Sequence, residues 1–355
     1  MKAWVLHNIG DIRMETVREP ELGEGEALVA VKAAGICGSD IPRIYRTGAY
    51  SHPLILGHEF SGIVQTVGKG TDKRWEKRRV GVFPLIPCGT CRPCREKAYE
   101  MCRHYSYLGS RRDGGFAEYV AVPESNLIEL PDKVSYEEAA MLEPMAVAVH
   151  AMRRAAPQTD HAVAVYGMGT IGTLLLMFLL EAGIKNIYAI GNKEFQRQTA
   201  LRMGIPKSHY CDSREGQVGK WLMEHTGHSG AEVFFECIGR NATVAQTVEL
   251  TAPGGKVCLV GNPDTDMLLE KKVYWKILRN QLSITGTWNS SFLPIGERGA
   301  CAKEDDWHYA LKRLEHKRVA PECFISHRLV MGELAEGLRI MRDKTEDYMK
   351  IMMGN

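Results

Sequence analysis

Four cysteines lie close together in this chain, at Cys88, Cys91, Cys94 and Cys102, in the spacing C-x2-C-x2-C-x7-C. Thiolates at this spacing can converge on one tetrahedral zinc ion, and a site with four protein ligands leaves no position for substrate. We therefore predict a structural zinc lobe over about residues 86–104. A disulfide framework is the alternative, and the start MKAWVLHNIG disfavours it because it lacks the apolar core of a secretory signal. We expect a cytoplasmic protein.

A second set of ligand-type residues comprises Cys37 in GICGSD, His58 and Glu59 in GHE, and Glu143 in LEP. Thiolate, imidazole and carboxylate suit a catalytic zinc with an open position, although any one of these residues alone is more often structural. Such an ion could bind a substrate hydroxyl and lower its pKa for hydride transfer. Ser39 is placed to relay the released proton. The alternative for Ser39 is a turn hydroxyl bonded to its own backbone.

A glycine-rich turn, Gly167-Met168-Gly169-Thr170-Ile171-Gly172, follows a strand pattern and precedes a helical run. Its three glycines suit a tight turn, close approach of a pyrophosphate and close helix–strand packing, and Thr170 and Ile171 open a helix whose N-terminus would face the phosphates. We predict dinucleotide binding, with Ile238 and Gly261 as further contacts. An ordinary glycine-rich turn between strand and helix is the alternative.

The next strand pattern ends in Gly191, Asn192 and Lys193, with Arg197 one helical turn later. An acidic residue here would accept hydrogen bonds from the adenosine ribose, but it would repel a 2′-phosphate. A glycine followed by an amide and two cations favours NADP(H), with NAD(H) as the alternative if Glu194 replaces the missing acid. An aspartate at position 191 is expected to shift the preference towards NAD.

The elements that must position these residues fall into two kinds. Residues 1–150 alternate β-rich runs with Gly/Pro turns, which predicts a mainly β, barrel-like catalytic domain. Residues 151–284 alternate strands and helices, which predicts an α/β domain with a doubly wound parallel sheet that binds the dinucleotide. We expect residues 285–355 to return to the first domain.

The composition excludes several classes of partner. The chain has 355 residues and a formal net charge of +2, so we expect neither nucleic acid nor an anionic membrane surface as a partner. Its most apolar run, 174–180, is far too short to span a bilayer. The expected partner is a small-molecule substrate.

Over its whole length the chain resembles the zinc-containing medium-chain dehydrogenases of the polyol dehydrogenase branch. The motifs that carry this resemblance are GICGSD, GHEFSG, the four-cysteine lobe, LEPMAV, GMGTIG and ECIG. The resemblance implies a GroES-like catalytic domain, a Rossmann-type domain, two zinc ions per subunit and a homodimer or homotetramer. It also implies Cys37, His58 and Glu143 at the catalytic zinc, with Glu59 as an adjacent ligand.

Within this branch, GICGSDIPRIYRTGAY and YLGSRRDGGFAEYV are most similar to galactitol-1-phosphate 5-dehydrogenases, which oxidise a sugar-alcohol phosphate to a ketose phosphate. Arg43, Arg111 and Arg112 are the candidates to bind such a phosphate, because guanidinium forms a bidentate fork with it. The alternative is that these arginines pair with carboxylates or lie on the surface. Trp288 and Asn289 are further candidates for the substrate pocket.

Two other functions stay open at this point. The same chemistry could act on an unphosphorylated polyol, a secondary alcohol or threonine. A non-catalytic dinucleotide-binding protein is the alternative from another class. The branch usually has aspartate where Gly191 stands and uses NAD, so this chain departs from the family at the position that selects the cofactor.

Overall fold

Mainly antiparallel strands build the first of two units in the computed structural model, which describes residues 1–263, 265–297 and 304–354. The first unit comprises Met1–Ala146 and Ser291–Asn355, and the second comprises Val147–Ser290. The strands of the first unit are β1 (Lys2–Asn8), β2 (Asp11–Thr16), β3 (Glu26–Ile36), β4 (Leu54–Ile55), β5 (Glu59–Val67), β6 (Arg79–Val82), β7 (Leu85–Ile86), β8 (Ser106–Tyr107), β9 (Tyr119–Pro123), β10 (Leu127–Glu129), β17 (Ile325–Val330) and β18 (Lys350–Gly354).

The main sheet of this unit has the order β10-β6-β5-β3-β18-β17, with β9 also paired to β3. Smaller sheets are β2-β1-β4 and β7-β8. Its helices are α1 (Asp40–Pro42), α2 (Arg92–Arg95), α3 (Tyr136–Ala140), α10 (Asp306–Glu315) and α11 (Leu334–Asp343). β18 pairs antiparallel with β3, with Ile351 opposite Ile36. The last strand of the chain is therefore part of the same sheet as the strand before Cys37.

The second unit is built on a six-stranded parallel sheet with the order β13-β12-β11-β14-β15-β16. Its strands are β11 (Ala162–Tyr166), β12 (Asn186–Gly191), β13 (Tyr210–Asp212), β14 (Ala231–Glu236), β15 (Thr251–Leu259) and β16 (Ser283–Gly286). Its helices are α5 (Thr170–Glu181), α6 (Glu194–Arg202), α7 (Val218–His225), α8 (Asn241–Leu250) and α9 (Lys271–Arg279), and α4 (Leu142–Ala155) contains the division between the units.

Continuous burial explains why apolar runs in the sequence predict the strands of the second unit. Val163, Val165, Val233 and Phe235 are fully buried, as expected for parallel strands covered on both faces. The α/β class with a parallel sheet, joined to a mainly β domain, is confirmed. Among the described residues, no helix has the length and apolar character needed to cross a membrane.

Candidate active site

Strand register brings the first candidate ligands together. β3 and β5 pair antiparallel with Gly35 opposite Glu59. Cys37 follows β3 and His58 precedes β5, so both residues lie at the same end of this ladder. The Cys37 sulfur, a ring nitrogen of His58 and a carboxylate oxygen of Glu59 all lie within 4.8 Å of one another. We call these three residues the ligand triad.

The turn that carries Cys37 is held by Asp40, which is fully buried. The backbone N–H of Cys37 donates to Oδ2 of Asp40 at 3.0 Å, and the N–H of Asp40 donates to the Cys37 carbonyl at 3.0 Å. The Ser39 hydroxyl donates to the Cys37 sulfur at 3.3 Å. Ser39 therefore lies beside the triad, as a relay requires, and bonds a side chain rather than its own backbone.

His58 shows that the site suits a cation. The ring is buried, and its Nδ1 lies 3.6 Å from Oδ1 of Asp40 without a hydrogen-bond partner. Burial lowers the pKa of His58, but the charges of Asp40, Cys37 and Glu143 raise it to about 10. A ring that faces a carboxylate through one nitrogen and presents the other to a metal is the usual arrangement of a histidine ligand. The donor set and its negative charge therefore fit zinc.

Glu143 lies near the triad but is not one of the three clustered ligands. It is the second residue of α4, and its Oε1 accepts a hydrogen bond from the Tyr107 hydroxyl at 3.0 Å. The Tyr107 ring centroid is 5.9 Å from that of His58. Burial raises the pKa of Glu143, and Glu59 raises it further while His58 lowers it. Glu143 is thus electrostatically coupled to the site while bonded to a tyrosine.

Glu59 has a partner that the sequence did not suggest. The ammonium group of Lys350 donates to Oε2 of Glu59 and, at 3.1 Å, to the carbonyl of Ile36. Both charged side chains are 2% exposed. A Cβ at Gly35 would lie 2.7 Å from Cε of Lys350, so a side chain there would displace the ion pair from its present position across β3. The structure therefore gives Glu59 a fixed cationic neighbour beside the triad.

The four lobe cysteines form a separate cluster. Sulfur–sulfur distances are 3.4 Å for Cys91–Cys94, 3.9 Å for Cys88–Cys94 and 3.9 Å for Cys91–Cys102. A tetrahedral ion with zinc–sulfur bonds of about 2.3 Å would hold its sulfurs about 3.8 Å apart. All four ligand atoms lie within 4.8 Å of one another, and none of these cysteines forms a disulfide. The cluster fits a closed zinc site.

The glycine turn of the second unit has the geometry that its sequence predicts. Gly167 has φ 105°, and a Cβ at Gly172 would overlap the Gly167 carbonyl. Gly169 caps α5 in an extended conformation, without a side-chain cap, and the space beside it is open. Thr170 and Ile171 form the first turn of α5. The backbone N–H groups at this helix end suit an anionic phosphate.

The ends of β14 and β15 pack closely beside this turn. A Cβ at Gly167 would lie 2.6 Å from the Ile238 side chain, and one at Gly261 would overlap the Gly239 backbone. Buried Glu236 accepts hydrogen bonds from the N–H groups of Ile238 and Gly239, each at 3.0 Å. Ile238 and Gly261 therefore lie at the carboxyl edge of the sheet, where dinucleotides bind in such folds.

Position 191 has close neighbours that the sequence did not indicate. A Cβ there would overlap the Tyr210 hydroxyl and lie 2.8 Å from Oε1 of Gln196. The shift towards NAD on introducing an aspartate here stays a prediction, and it requires Tyr210 and Gln196 to move aside for the new side chain. Lys193 has its Nζ 5.3 Å from the Phe195 ring centroid, and Arg197 pairs with Glu194 at 3.2 Å.

The three candidate phosphate-binding arginines differ in their partners. Arg43 pairs with Asp40 at 3.2 Å, and Arg112 pairs with Glu26 at the start of β3. Both therefore follow the alternative interpretation, pairing with carboxylates. Arg111 lies 3.9 Å from the Tyr50 ring centroid and 4.6 Å from that of Tyr105. Trp288 is 49% exposed and Asn289 is buried, and both belong to the second unit.

Sequence reasoning missed Asp40, Tyr107 and Lys350. Asp40 stands inside the GICGSD motif, where a buried aspartate beside a ligand could have been suspected. A lysine between apolar residues in YMKIMM is a signal of a buried ion pair, since lysine is almost never buried without a partner. Nothing in the sequence around Tyr107 indicated its contact with Glu143.

Two family models match the chain. The alcohol dehydrogenase GroES-like domain matches residues 23–132, and the zinc-binding dehydrogenase family matches residues 170–312. Galactitol 1-phosphate 5-dehydrogenase of Escherichia coli K12 is 32% identical over 340 residues, which is 96% of each chain. Sorbitol dehydrogenase of Bacillus subtilis is 33% identical over 269 residues, 74% of this chain and 75% of that protein.

Solved structures agree with the sequence relatives. The crystal structure of galactitol-1-phosphate dehydrogenase from Escherichia coli aligns with a TM-score of 0.88 and 31% identity over 100% of both chains. A zinc-binding dehydrogenase homologue from Sinorhizobium meliloti 1021, solved bound to NADP, aligns with a TM-score of 0.86 and 26% identity, covering 100% of this chain and 99% of that one. These relatives establish chemistry on an alcohol carbon, while their substrates differ.

Proposed function

The chain belongs to the zinc-binding dehydrogenases with an alcohol dehydrogenase GroES-like domain, and we propose that it oxidises a sugar-alcohol phosphate to a ketose phosphate with NADP(H). It is an oxidoreductase acting on an alcohol CH–OH group. The observation that carries the substrate proposal is the environment of Arg111. The metal and cofactor proposals rest on the ligand triad and on the surroundings of Gly191.

We assign the ligand triad and Glu143 to a catalytic zinc and the four lobe cysteines to a structural one. Zinc supplies Lewis acidity that makes a bound alcohol more acidic. Cys37 and His58 would hold the metal, and Asp40 orients the imidazole. Lys350 holds one Glu59 oxygen, while Tyr107 holds Oε1 of Glu143. Ser39 can pass the alcohol proton outwards because its hydroxyl already contacts the Cys37 sulfur.

Arg111 is positioned to bind a phosphate near this centre. Three backbone N–H groups, including that of Arg111, donate to the Tyr107 carbonyl, and the Tyr107 hydroxyl in turn bonds Glu143. Tyrosine faces hold the Arg111 guanidinium, which has no carboxylate partner among the described residues. An exposed guanidinium fixed by aromatic rings keeps its donors for a ligand anion. This supports a phosphorylated substrate.

An unphosphorylated polyol is the second candidate. Two of the three predicted arginines, Arg43 and Arg112, have carboxylate partners, and a sorbitol dehydrogenase is among the relatives of similar identity. The two candidates make different demands on Arg111. A phosphate substrate needs this cation for binding, whereas a neutral polyol does not.

NADP(H) is the cofactor that we propose. β12 ends at Gly191, so no carboxylate stands at this position, and Lys193 and Arg197 lie just beyond it. A relative of known structure binds NADP, which makes this cofactor compatible with the fold. NAD(H) is the alternative, with Glu194 at the ribose.

We also propose that the protein forms a homodimer through the second unit. β16 is an edge strand of the parallel sheet, and Ile284 on it is 42% exposed. Tyr274, Trp275 and Leu278 on α9 are each more than half exposed. Edge strands with adjacent apolar residues are covered in stable proteins, and a second copy could pair with the same edge across a two-fold axis.

A cofactor-by-substrate screen tests the function. The zinc-loaded enzyme is assayed with NAD and NADP against galactitol 1-phosphate, galactitol, sorbitol and threonine. Arg111→Gln should raise KM for the phosphate at least tenfold, since a hydrogen bond to a charged group is worth about 1.5–3 kcal/mol. Arg112→Gln is the matched control and should leave KM unchanged. Turnover of free polyols alone, or equal effects of the two variants, would reject the phosphate proposal.

A further inference from the structure

The end of β12 lacks space for any side chain at position 191. A Cβ there would meet two neighbours at once, the Tyr210 hydroxyl and Oε1 of Gln196. Gln196 cannot easily leave, because its Oε1 accepts a hydrogen bond from the Asn192 N–H at 3.1 Å. Glycine at this position therefore does more than remove an acidic group. It also leaves the space that the Tyr210 hydroxyl and the Gln196 side chain occupy.

Tyr210 is fixed by the sheet. It begins β13, which pairs parallel with β12, so that Ala189 lies opposite Tyr210 and Gly191 opposite Asp212. The Tyr210 side chain is buried, and its hydroxyl makes one long contact, 3.5 Å, with the carbonyl of Lys193. The ring is therefore held in place, while its single O–H donor makes only this long hydrogen bond and can turn to a ligand.

The acid opposite Gly191 on the next strand is already paired. Asp212, opposite Gly191, receives two side-chain nitrogens of Arg214, with Nε at 2.9 Å from Oδ1. This hydrogen bonding holds the pKa of Asp212 below its usual range. A carboxylate occupied by a bidentate guanidinium is a poor acceptor for ribose hydroxyls. The acid that would favour NAD is thus absent at position 191 and paired at position 212.

We infer that Tyr210 and Gly191 together determine the choice of dinucleotide: the phenol fills the volume that an acidic residue at 191 would need, and its hydroxyl donates to a 2′-phosphate. The donor half of this inference rests on the proposed NADP(H) preference, whereas the steric half stands independently of it. Burial, with the charges of Asp212 and Glu194, raises the pKa of Tyr210, so the hydroxyl stays protonated near neutral pH. Lys193 supplies the positive charge beside it.

Binding measurements on the full-length, zinc-loaded protein test both halves without a known alcohol. Dissociation constants for NADPH and NADH are measured by nicotinamide fluorescence, and thermal unfolding reports the fold. Tyr210→Phe keeps the volume and removes the donor, so it should weaken NADPH binding about tenfold and leave NADH unchanged. Tyr188→Phe is the matched control, because Tyr188 lies on β12 of the same sheet and its buried phenol hydroxyl donates to the His225 carbonyl at the end of α7.

Steric exclusion is tested with three further variants. Gly191→Asp alone should lower the unfolding temperature and weaken the binding of both cofactors. Gly191→Asp combined with Tyr210→Ala should regain stability relative to that single variant and bind NADH more tightly than NADPH. Tyr210→Ala alone measures the cost of the truncation itself.

Each half can be overturned separately. If Gly191→Asp is as stable as the wild type and prefers NADH, Tyr210 does not exclude the acid. If Tyr210→Phe leaves the ratio of the two dissociation constants unchanged, the hydroxyl is not a phosphate donor. A wild type that prefers NADH refutes the proposed cofactor and the donor half together, while the stability comparison of the Gly191 variants still decides the steric half.

Discussion

Replacing Lys350 with methionine is expected to destabilise the first unit strongly. The lysine is the cationic partner of Glu59, and both side chains are 2% exposed. Removing one partner of a buried ion pair leaves an uncompensated charge, which costs about 3–5 kcal/mol. The Ile36 carbonyl also loses the donor that lies 3.1 Å away. Burial lowers the pKa of Lys350, but the charge of Glu59 raises it above the ordinary value overall, so the lysine carries its positive charge at neutral pH.

A double-mutant cycle separates charge from packing. The wild type, Lys350→Met, Glu59→Gln and the double variant are unfolded in urea after removal of zinc, so that no ion at the ligand triad compensates Glu59, with circular dichroism as the probe. Glu59→Gln in the Lys350→Met background removes the unpaired charge and should raise the free energy of unfolding by about 2 kcal/mol relative to Lys350→Met. Lys272→Met breaks the exposed pair of Lys272 with Glu270 and is the control. It should leave the midpoint of the urea unfolding transition unchanged.

The cycle also has a clear negative result. If the free energy of unfolding of Lys350→Met lies within about 1 kcal/mol of the wild-type value, the pair is not the buried, charged contact that its geometry implies. If the double variant is no more stable than Lys350→Met, the loss comes from packing of the lysine chain instead of charge. Either result would refute the argument that an unpaired Glu59 charge destabilises the Lys350→Met variant.

Other perturbations address the metals and the assembly. Cys37→Ala should abolish turnover and keep the far-ultraviolet circular dichroism of the wild type, and an unfolded variant would contradict a purely catalytic role. Cys91→Ser should lower the unfolding temperature because the lobe loses a zinc ligand, so normal stability would argue against a structural metal. Dialysis against dipicolinate should remove activity that added zinc restores, and activity that persists in protein with only one zinc per subunit would contradict the two-zinc assignment. Ile284→Arg should convert the dimer to monomer in light scattering, and an unchanged mass would place the interface elsewhere.

The fold was readable from the sequence where local signals were strong. The buried run before Gly167 and the three glycines after it predict β11, the turn and α5, and the structure places the helix at Thr170–Glu181. Antiparallel pairing of β3 and β5 also keeps Cys37 near His58, which their separation in sequence did not require. Such pairing depends on register, and no short sequence pattern gives it.

What could not be predicted depends on contacts between distant residues. Lys350 meets Glu59 across 291 positions, and its role is visible only when β18 is paired beside β3. From the sequence, Gly191 indicates only that an acidic residue is missing. The structure adds that the space for a side chain there is filled by Tyr210 of the next strand. Both are facts of volume and pairing, and residue type alone indicates neither.

Insertion of β18 beside β3 has a consequence for synthesis on the ribosome. The sequence of the second unit is finished about 60 residues before the strand that carries Lys350. Until that strand emerges, β3 has an open edge and Glu59 has no cationic partner. We therefore expect the nascent chain to hold a folded nucleotide-binding unit while the first unit is still incomplete, because the main sheet of that unit closes only after β18 has been translated.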